Sequence, residues 1–234
     1  MMDKSIVYLI PSVLDLAAID TIPESVVSAI KNCQVIFAEN ERTARRFFKS
    51  IWSAIVIDDY EWYTIHNAED AQLQAFRSKI AEGKNVAIIS EAGCPGIADP
   101  GQILVNEAQK LNVTVKPLVG PCSIILALMA SGMNGQQFQF VGYLPIDMLP
   151  RAARIKELEE ESAKKKCTQI FIETPYRNNQ LIETLLKTLK LTSRLCIACD
   201  LTAVTEIVKT RTVAAWRQES TDFHKRPVIF LIQA

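Results

Sequence analysis

Glycine, proline and acidic residues crowd into one stretch of the chain, ISEAGCPGIADPGQ at residues 89–102. It continues the apolar run NVAII, which predicts a β-strand. A connection that only turns the chain needs one glycine or one proline, so this composition indicates a second task. Prolines stiffen such a loop while glycines leave its N–H groups accessible, which suits contact with a small molecule through main-chain atoms. A set of tight turns and helix caps would explain the same residues equally well.

The other glycines point to the same kind of site. Seven of the eight lie between Gly93 and Gly142, and the stretch LVGPCS at 118–123 again follows a predicted strand directly. In an open α/β sheet, ligands bind outside the carboxyl ends of the strands. The dinucleotide pattern GxGxxG and the phosphate loop GxxxxGK[ST] are both missing from the sequence. His66 and His224 are the only histidines, and neither belongs to a recognisable catalytic motif.

Short apolar runs alternate with helical patterns in the first half of the chain. The patterns SIVYLI, CQVIFA, AIVI, NVAIIS and VTVKPL predict strands. Helices are predicted at 23–31, after a proline, and from a cap at Asn67 to a stop at Gly83. This alternation predicts an N-terminal, mostly parallel sheet covered by helices on both faces.

The second half repeats the alternation with shorter connections. Strands are predicted in FQFVGYL, TQIFIE, RLCIACDL, EIVKTRTV and VIFLIQ. Helices are predicted after Pro121, from Arg151 to Lys166, and in NNQLIETLLKTLK, whose leucines form one stripe. The short late connections favour a mixed, partly antiparallel C-terminal sheet. We therefore expect an α/β protein of two domains, 1–117 and 118–234.

Composition limits the classes of function. Of 234 residues, 26 are Lys or Arg and 26 are Asp or Glu, so the formal net charge is zero. A protein that binds nucleic acid through global charge is excluded, although a local basic patch is compatible. No apolar run approaches the roughly 20 residues of a membrane span. Six scattered cysteines predict reduced thiols and a cytoplasmic location. We expect Cys196 and Cys199 to point to opposite faces of one strand, so we predict no metal site.

These motifs resemble those of the tetrapyrrole methylase superfamily, and most closely the family of small-subunit ribosomal RNA 2′-O-ribose methyltransferase I. The family pattern S-D-A-G-T-P followed by I-S-D-P-G corresponds to SEAGCP at 90–95 and IADPG at 97–101. P-G-P-S-A-A corresponds to VGPCS at 119–123, A-E-D-T-R to AENER at 38–42, and E-S-P-H-R to ETPYR at 173–177. Matches in order extend from Ile6 to Ile232.

The resemblance implies two α/β domains with S-adenosylmethionine (SAM) in the cleft between them, and a homodimer. Carried over position by position, it predicts twelve SAM-binding residues: Pro11, Ser90, Glu91, Ala92, Gly93, Cys94, Ile97, Cys122, Ser123, Ile172, Leu201 and Pro227. Cys122 stands where the family has serine, so a strong hydroxyl donor is replaced by a weak thiol donor.

Four further residues are candidates for chemistry. Methyl transfer to a ribose hydroxyl needs an aligned acceptor and a proton acceptor within hydrogen-bond reach, and we expect Glu39 to be that base. Arg42 could bind a phosphate or orient Glu39, since a guanidinium forms bidentate bonds to oxyanions. Glu173 and Arg177 flank a predicted strand end and could shape the same cleft. A helix cap or a structural ion pair would explain these residues too.

The methyl acceptor is the least constrained part of the prediction. Arg42, Arg45, Arg46 and Lys49 recur at helical spacing and predict one basic stripe, to which Arg151 and Arg154 could add. The first loop, at 11–14, lacks the glycine and asparagine of the family's P-I-G-N-L pattern. The favoured prediction is a SAM-dependent methyltransferase that acts on RNA of the small ribosomal subunit. The alternatives are methylation of a small acceptor such as a tetrapyrrole, and SAM binding without catalysis.

Overall fold

The protein divides into two compact units in the computed structural model, which describes residues 5–65, 70–220 and 222–234. The first unit ends at Cys122 and the second is Ser123–Ala234. The division therefore falls later than the expected boundary at 117/118. Leu118 N donates to Leu9 O at 3.2 Å, and Gly120 packs directly against Pro11, so the segment after residue 117 stays attached to the first unit.

The first unit is built on a five-stranded sheet. Its elements are β1 (Ile6–Ile10), α1 (Glu24–Lys31), β2 (Val35–Ala38), α2 (Glu41–Ile51), β3 (Glu61–Thr64), α3 (Asp70–Ala81), β4 (Val86–Ile89), α4 (Gln102–Lys110) and β5 (Thr114–Pro117). The strand order is β3-β2-β4-β1-β5, and every pairing is parallel. The predicted N-terminal parallel sheet is confirmed.

The central strands β1, β2 and β4 are buried on both faces of this sheet, which explains why they are apolar rather than alternating. Successive side chains of a strand point to opposite faces. Ala87 and Ile89 of β4 join a core that includes Phe48 of α2, whereas Val86 and Ile88 join a second core that includes Phe76 of α3. The sheet therefore carries helices on each side.

One predicted strand of the first unit is wrong. The run AIVI at 54–57 forms no strand; it leads into a 3₁₀ helix, Ile57–Asp59, and Ile55 is buried against the α1–α2 side of the sheet. The strand lies further on, in EWYT, where Trp62 and Tyr63 pack on opposite faces of the sheet at its edge. A short apolar run cannot be assigned to a strand by hydropathy alone. The predicted cap at Asn67 lies outside the described residues.

The second unit holds a mixed five-stranded sheet. Its elements are α5 (Ser123–Ser131), β6 (Phe138–Tyr143), α6 (Met148–Lys165), β7 (Thr168–Ile172), α7 (Asn178–Thr188), β8 (Arg194–Cys199), β9 (Ile207–Thr212), α8 (Val213–Trp216) and β10 (Val228–Gln233). The strand order is β6-β7-β10-β8-β9; β6 and β7 are parallel and the other pairings are antiparallel. The predicted mixed C-terminal sheet is confirmed.

Helices α6 and α7 bury one face of this second sheet. The leucine stripe of α7 (Leu181 and Leu185) packs with Phe171 and Phe230, whose rings stack at 5.8 Å between centroids. Cys199 belongs to this same core, whereas Cys196 is buried outside it at an odd spacing along β8. The two thiols thus occupy opposite faces of the strand, as expected. The short helix α8 had no clear pattern in the sequence; its Trp216 anchors it by donating from Nε1 to Leu195 O at 2.8 Å.

Of the helices within 5–65, 70–220 and 222–234, none combines the length and the apolar character needed to cross a bilayer.

Candidate functional site

In the first unit, the candidate residues collect at the carboxyl end of the parallel sheet. Pro11 follows β1, Glu39 follows β2, and the bend from Ser90 to Gly101 follows β4. The segment from Leu118 to Cys122 follows β5. Because these strands are parallel neighbours, their carboxyl ends form one edge, where ligands bind in open α/β sheets.

The backbone conformation of the bend at 90–101 accounts for its unusual composition. Gly93 and Gly96 have positive φ angles of 72° and 83°, which glycine adopts without strain. Asp99 fastens the rest of the bend by accepting N–H bonds from Gly96 at 2.7 Å and from Gly101 at 2.6 Å. A side chain at Gly101 would lie 2.7 Å from the Asp99 carboxylate. The bend is therefore a preformed structure rather than a loose connection.

Three contacts join this bend, the loop after β1 and the segment after β5 to one another. Gly93 and Ser12 form an antiparallel bridge, with N···O distances of 2.8 and 3.2 Å. The Cys94 thiol lies 3.5 Å from Pro121 O. A Cβ added at Gly120 would fall 2.2 Å from Cβ of Pro11, so only glycine allows this approach. The structure thus brings Pro11, Gly93 and Cys94 together with the segment before Cys122.

Some N–H groups of the bend already have partners inside the protein. The N–H groups of Gly93, Gly96 and Gly101 bond to Ser12 or Asp99. Among the described residues, those of Ala92 and Cys94 have no acceptor. The N–H groups of Ala92 and Cys94 are therefore available to a ligand held by main-chain atoms, whereas those of Gly93, Gly96 and Gly101 are not. Ile97 adds an exposed apolar side chain beside it, with 48% of its surface accessible.

Glu39 is held in place by the same bend. Its carboxylate accepts the Glu91 N–H at 2.9 Å, and its own N–H donates to Ile89 O at 3.0 Å. Burial raises the pKa of Glu39, the nearby Asp99 and Glu91 raise it further, and the Glu91 N–H only partly offsets these effects. A carboxylate with a raised pKa is a better proton acceptor than a solvated one.

The charge balance at this edge fits SAM. Burial also raises the pKa of Asp99, against the N–H bonds that it accepts. Two carboxyl groups with disfavoured charged forms would be stabilised by a nearby cation. SAM supplies a positively charged sulfonium, and its polar groups could accept the N–H groups of Ala92 and Cys94. Burial raises the pKa of the Cys94 thiol, and neighbouring Cys122 raises it further, so this thiol stays protonated and uncharged.

The structure does not bring Arg42 to Glu39. Arg42 is exposed on α2, and no bond between its guanidinium and the Glu39 carboxylate occurs in the part of the chain that the structure describes. The predicted basic stripe is also divided. Arg45 pairs with Glu41 and lies over the Trp62 ring at 5.0 Å, so it is a structural residue. Arg46 and Lys49 are exposed like Arg42, whereas Arg151 is buried and adds nothing to that surface.

In the second unit, three of the four predicted SAM contacts share one edge of the sheet; the fourth, Ser123, is the first residue of α5. Ile172 ends β7, Leu201 follows β8, and Pro227 precedes β10, which runs antiparallel between these strands. Asp200 connects the end of β8 to the segment before β10. It accepts two hydrogen bonds from Arg226, at 2.6 and 2.8 Å, and its N–H donates to Pro227 O. Leu201 is buried and Pro227 is exposed.

Glu173 and Arg177 form an ion pair at the same edge. Arg177 donates from Nη2 at 2.6 Å and from Nε at 3.0 Å, and both bonds go to Oε1 of Glu173. Thr174 N donates to that oxygen as well, at 2.7 Å. The Glu173 side chain is fully buried, and its Oε2 has no partner among the described residues. All of these bonds therefore go to one oxygen of the Glu173 carboxylate, and the other oxygen is buried without a described partner.

Several residues that build these edges were not predicted. Asn40 caps α2 by accepting the Thr43 N–H at 3.2 Å and donates to the Glu91 carboxylate at 2.8 Å. Asp99 and the pair of Asp200 with Arg226 also escaped the sequence reasoning. Asn40 alone had a signal, since it precedes a helix as a capping residue does. Asp200 and Arg226 are far apart in the chain, whereas Asp99 bonds to Gly96 and Gly101 inside the same bend.

Comparison with known proteins agrees with this architecture. The family model of the tetrapyrrole (corrin/porphyrin) methylases matches residues 17–215. The ribosomal RNA small subunit methyltransferase I of Buchnera aphidicola subsp. Schizaphis graminum is 29% identical over 97% of this chain and 77% of its own length. Its counterpart in Vibrio cholerae serotype O1 is 33% identical over 71% of this chain, and the match spans only 57% of that protein.

Solved structures share the fold. The methyltransferase CobJ superposes with a TM-score of 0.63 at 16% identity, covering 98% of this chain and 92% of that one. The uroporphyrin-III-C-methyltransferase of Thermus thermophilus superposes with a TM-score of 0.58 at 14% identity, covering 98% and 94%. The chain therefore belongs to the tetrapyrrole (corrin/porphyrin) methylase family of SAM-dependent methyltransferases.

Proposed function

We propose that the protein transfers a methyl group to the 2′-hydroxyl of a ribose in RNA of the small ribosomal subunit. The observation that carries this proposal is Glu39, a carboxylate fixed by the Glu91 N–H at the carboxyl end of the sheet, whose pKa burial raises. A hydroxyl acceptor must lose its proton during transfer, and a base with a raised pKa is suited to take it. The relatives named above support the RNA of the small subunit as the acceptor.

Bound SAM supplies an electrophilic methyl group. The chain's own part is to bind, orient and accept a proton. In this proposal, the N–H groups of Ala92 and Cys94, with Cys122, hold the donor on the first unit, and Ser123 contacts it from the start of the second. Ile172, Leu201 and Pro227 supply its apolar and main-chain contacts on the second, in the cleft that the family resemblance implies. Positioning of this kind accounts for much of the rate in a one-step displacement.

Glu173 and Arg177 have a supporting role in the proposal. Arg177 neutralises one oxygen of a fully buried carboxylate, which leaves Oε2 able to accept one further hydrogen bond. An acceptor hydroxyl or amino group could supply that bond and be oriented by it. Arg42 is exposed beside Asn40 and is proposed to contact an RNA phosphate rather than to orient Glu39.

Methyl incorporation tests the proposal directly. Small ribosomal subunits from cells that lack the protein are incubated with the pure protein and SAM labelled in its methyl group. We expect label in one nucleotide, in a form that resists alkaline hydrolysis at that position because the 2′-oxygen is blocked. Label on a base, or on a tetrapyrrole but on no RNA, would replace this function with another methyl transfer. Binding of SAM without label on any acceptor would favour a non-catalytic role.

We propose further that the protein acts as a homodimer in the cytoplasm. The family resemblance supports the dimer, and the six free cysteines, four of them buried, support a reducing compartment. Sedimentation equilibrium at micromolar concentration tests the first statement, and cell fractionation tests the second.

A further inference from the structure

Arg151 is a buried cation with no anionic partner in the described part of the chain. It is 5% exposed, and neither Nε nor Nη1 has a hydrogen-bond acceptor among the residues that the structure describes. An arginine cannot shed its proton in a protein, so its charge must be compensated. A buried charge without a partner is strongly destabilising. By contrast, the charge of Arg154 is compensated by Glu157, and that of Arg177 by Glu173.

The position of Arg151 in its helix adds to the need for an anion. It lies about one turn into α6, a helix of 18 residues that begins at Met148, and the N-terminal end of a helix disfavours a cation. Arg151, Ile155 and Leu158 lie on one buried face of α6. Because helical side chains lean toward the N-terminus, the Arg151 side chain extends toward the first turn.

That first turn has N–H groups to offer. Asp147, at the N-cap, makes no capping bond with its side chain, and Pro150 has no N–H. Within the described ranges, the N–H groups of Met148 and Leu149 have no acceptor. An uncapped helix start can bind an anion, and here a buried arginine lies within the first turn of the helix. One anion would satisfy both features.

Two exposed aromatic rings lie at the same edge of the second unit. Tyr143 ends β6 and is paired in register with Ile172, the last residue of β7; Tyr176 follows three residues after Glu173. Their exposed fractions are 60% and 68%, and Lys225 lies over the Tyr176 ring at 5.9 Å. Helix α6 starts from this edge, directly after β6. Exposed tyrosines beside cations are typical of surfaces on which unpaired bases stack.

We infer that Arg151 and the start of α6 bind a backbone phosphate of the acceptor RNA, next to bases that stack on Tyr143 and Tyr176. This inference rests on the proposed function and names a part of the acceptor site. Phosphate fits because its oxygens can accept both the guanidinium fork and the helix N–H groups at once. The phosphate contact fixes the position of the strand and is independent of its sequence.

Two measurements on the full chain test the inference. In the first, thermal unfolding is followed in inorganic phosphate and in chloride or acetate at equal ionic strength. Phosphate should raise the Tm of the wild type but not that of Arg151→Met, because a ligand stabilises only a state that binds it. In the second, a single-stranded oligoribonucleotide is titrated at several salt concentrations. The slope of log K against log salt should fall by about 0.7 in Arg151→Met, the value for one phosphate on a single strand.

Matched variants make both readings specific. Lys156→Met, on the same helix and exposed, should keep the phosphate effect and the wild-type slope. Arg151→Lys keeps the charge and should restore most of the slope, although it loses the fork. If Arg151→Met fails to fold, the inference is tested by the salt slope of Arg151→Lys and by the effect of phosphate on the Tm of the wild type.

Other outcomes overturn the inference. A slope unchanged in Arg151→Met, or phosphate that protects no better than acetate, removes the phosphate site. The proposed function fails separately: if no RNA is methylated while the phosphate effect and the slope change remain, the anion site survives and the acceptor must be sought again. If RNA is methylated and the slope stays unchanged, the enzyme stands and this site is wrong.

Discussion

At the scale of single residues, the carboxyl group of Glu39 carries the largest consequence. Its folded-state pKa is raised, so the native protein binds this proton more tightly than the unfolded chain does. The stability that Glu39 contributes is present in acid, below its unfolded pKa, and is lost as the pH rises through the folded pKa. At neutral pH, therefore, its charge opposes folding.

Glu39→Gln should separate catalysis from structure. We expect methyl transfer to fall about 10²- to 10⁴-fold, the usual effect of losing a general base. Urea unfolding at neutral pH should show the variant at least as stable as the wild type, and this advantage should shrink toward acid pH, where the wild-type group is protonated. A variant that is both inactive and less stable at neutral pH would point to a structural role.

Cys122 offers a second test at the residue scale. If Cys122 contacts SAM, Cys122→Ser should tighten SAM binding about fivefold, because a hydroxyl is a stronger donor than a thiol and one such bond contributes about 1 kcal/mol. Cys122→Ala is the matched control and should bind SAM like the wild type. Calorimetry that finds the Ser and Ala variants equal would exclude the contact.

At the scale of elements, the sequence predicted those whose pattern is repeated along many residues. Nine strands were placed from runs of apolar and β-branched residues, and six of them are buried over most of their length. Strand β3 was missed because EWYT is half-buried at the sheet edge and shows no such run, while the apolar AIVI packs into a turn. The residues of the site followed from motif positions. Their bonds did not, because the Glu39–Glu91 and Asp200–Arg226 contacts join positions far apart in the chain.

The packing of the segment after β5 (118–122) on the loop after β1 can be tested by adding one methyl group. Gly120→Ala would put a Cβ 2.2 Å from Cβ of Pro11, so the two loops must separate. We expect a loss of about 1–3 kcal/mol in the free energy of unfolding, together with weaker SAM binding. Gly135→Ala is the control, since nothing lies within 4 Å of its added Cβ, and it should change stability by less than about 0.5 kcal/mol. Equal effects of the two variants would refute the close approach.

At the scale of the whole molecule, binding of RNA must depend on local patches because the formal net charge is zero. The exposed residues of the α2 stripe are the patch on the first unit. Arg42→Glu with Arg46→Glu should reduce the salt slope of RNA binding by about 1.4, for two phosphates on a single strand.

A control for this charge reversal uses the same change in net charge elsewhere. Lys110→Glu with Lys187→Glu alters exposed lysines at the ends of α4 and α7, outside the predicted stripe. We expect RNA binding by this pair to keep the wild-type slope. If both double variants lose the same slope, the attraction is global and the α2 stripe has no specific role.

The zero net charge also means that separate copies of the protein do not repel one another, so nothing long-ranged keeps their sheets apart. Strand β3 is one of the two edge strands of the first unit's sheet, and at such an edge a foreign strand could attach and start a fibril. Its Glu61 forms ion pairs with Lys79 and Lys84. An incoming strand would first have to separate these two ammonium groups from the Glu61 carboxylate. This local cost opposes strand pairing in a molecule whose zero net charge does not repel other copies.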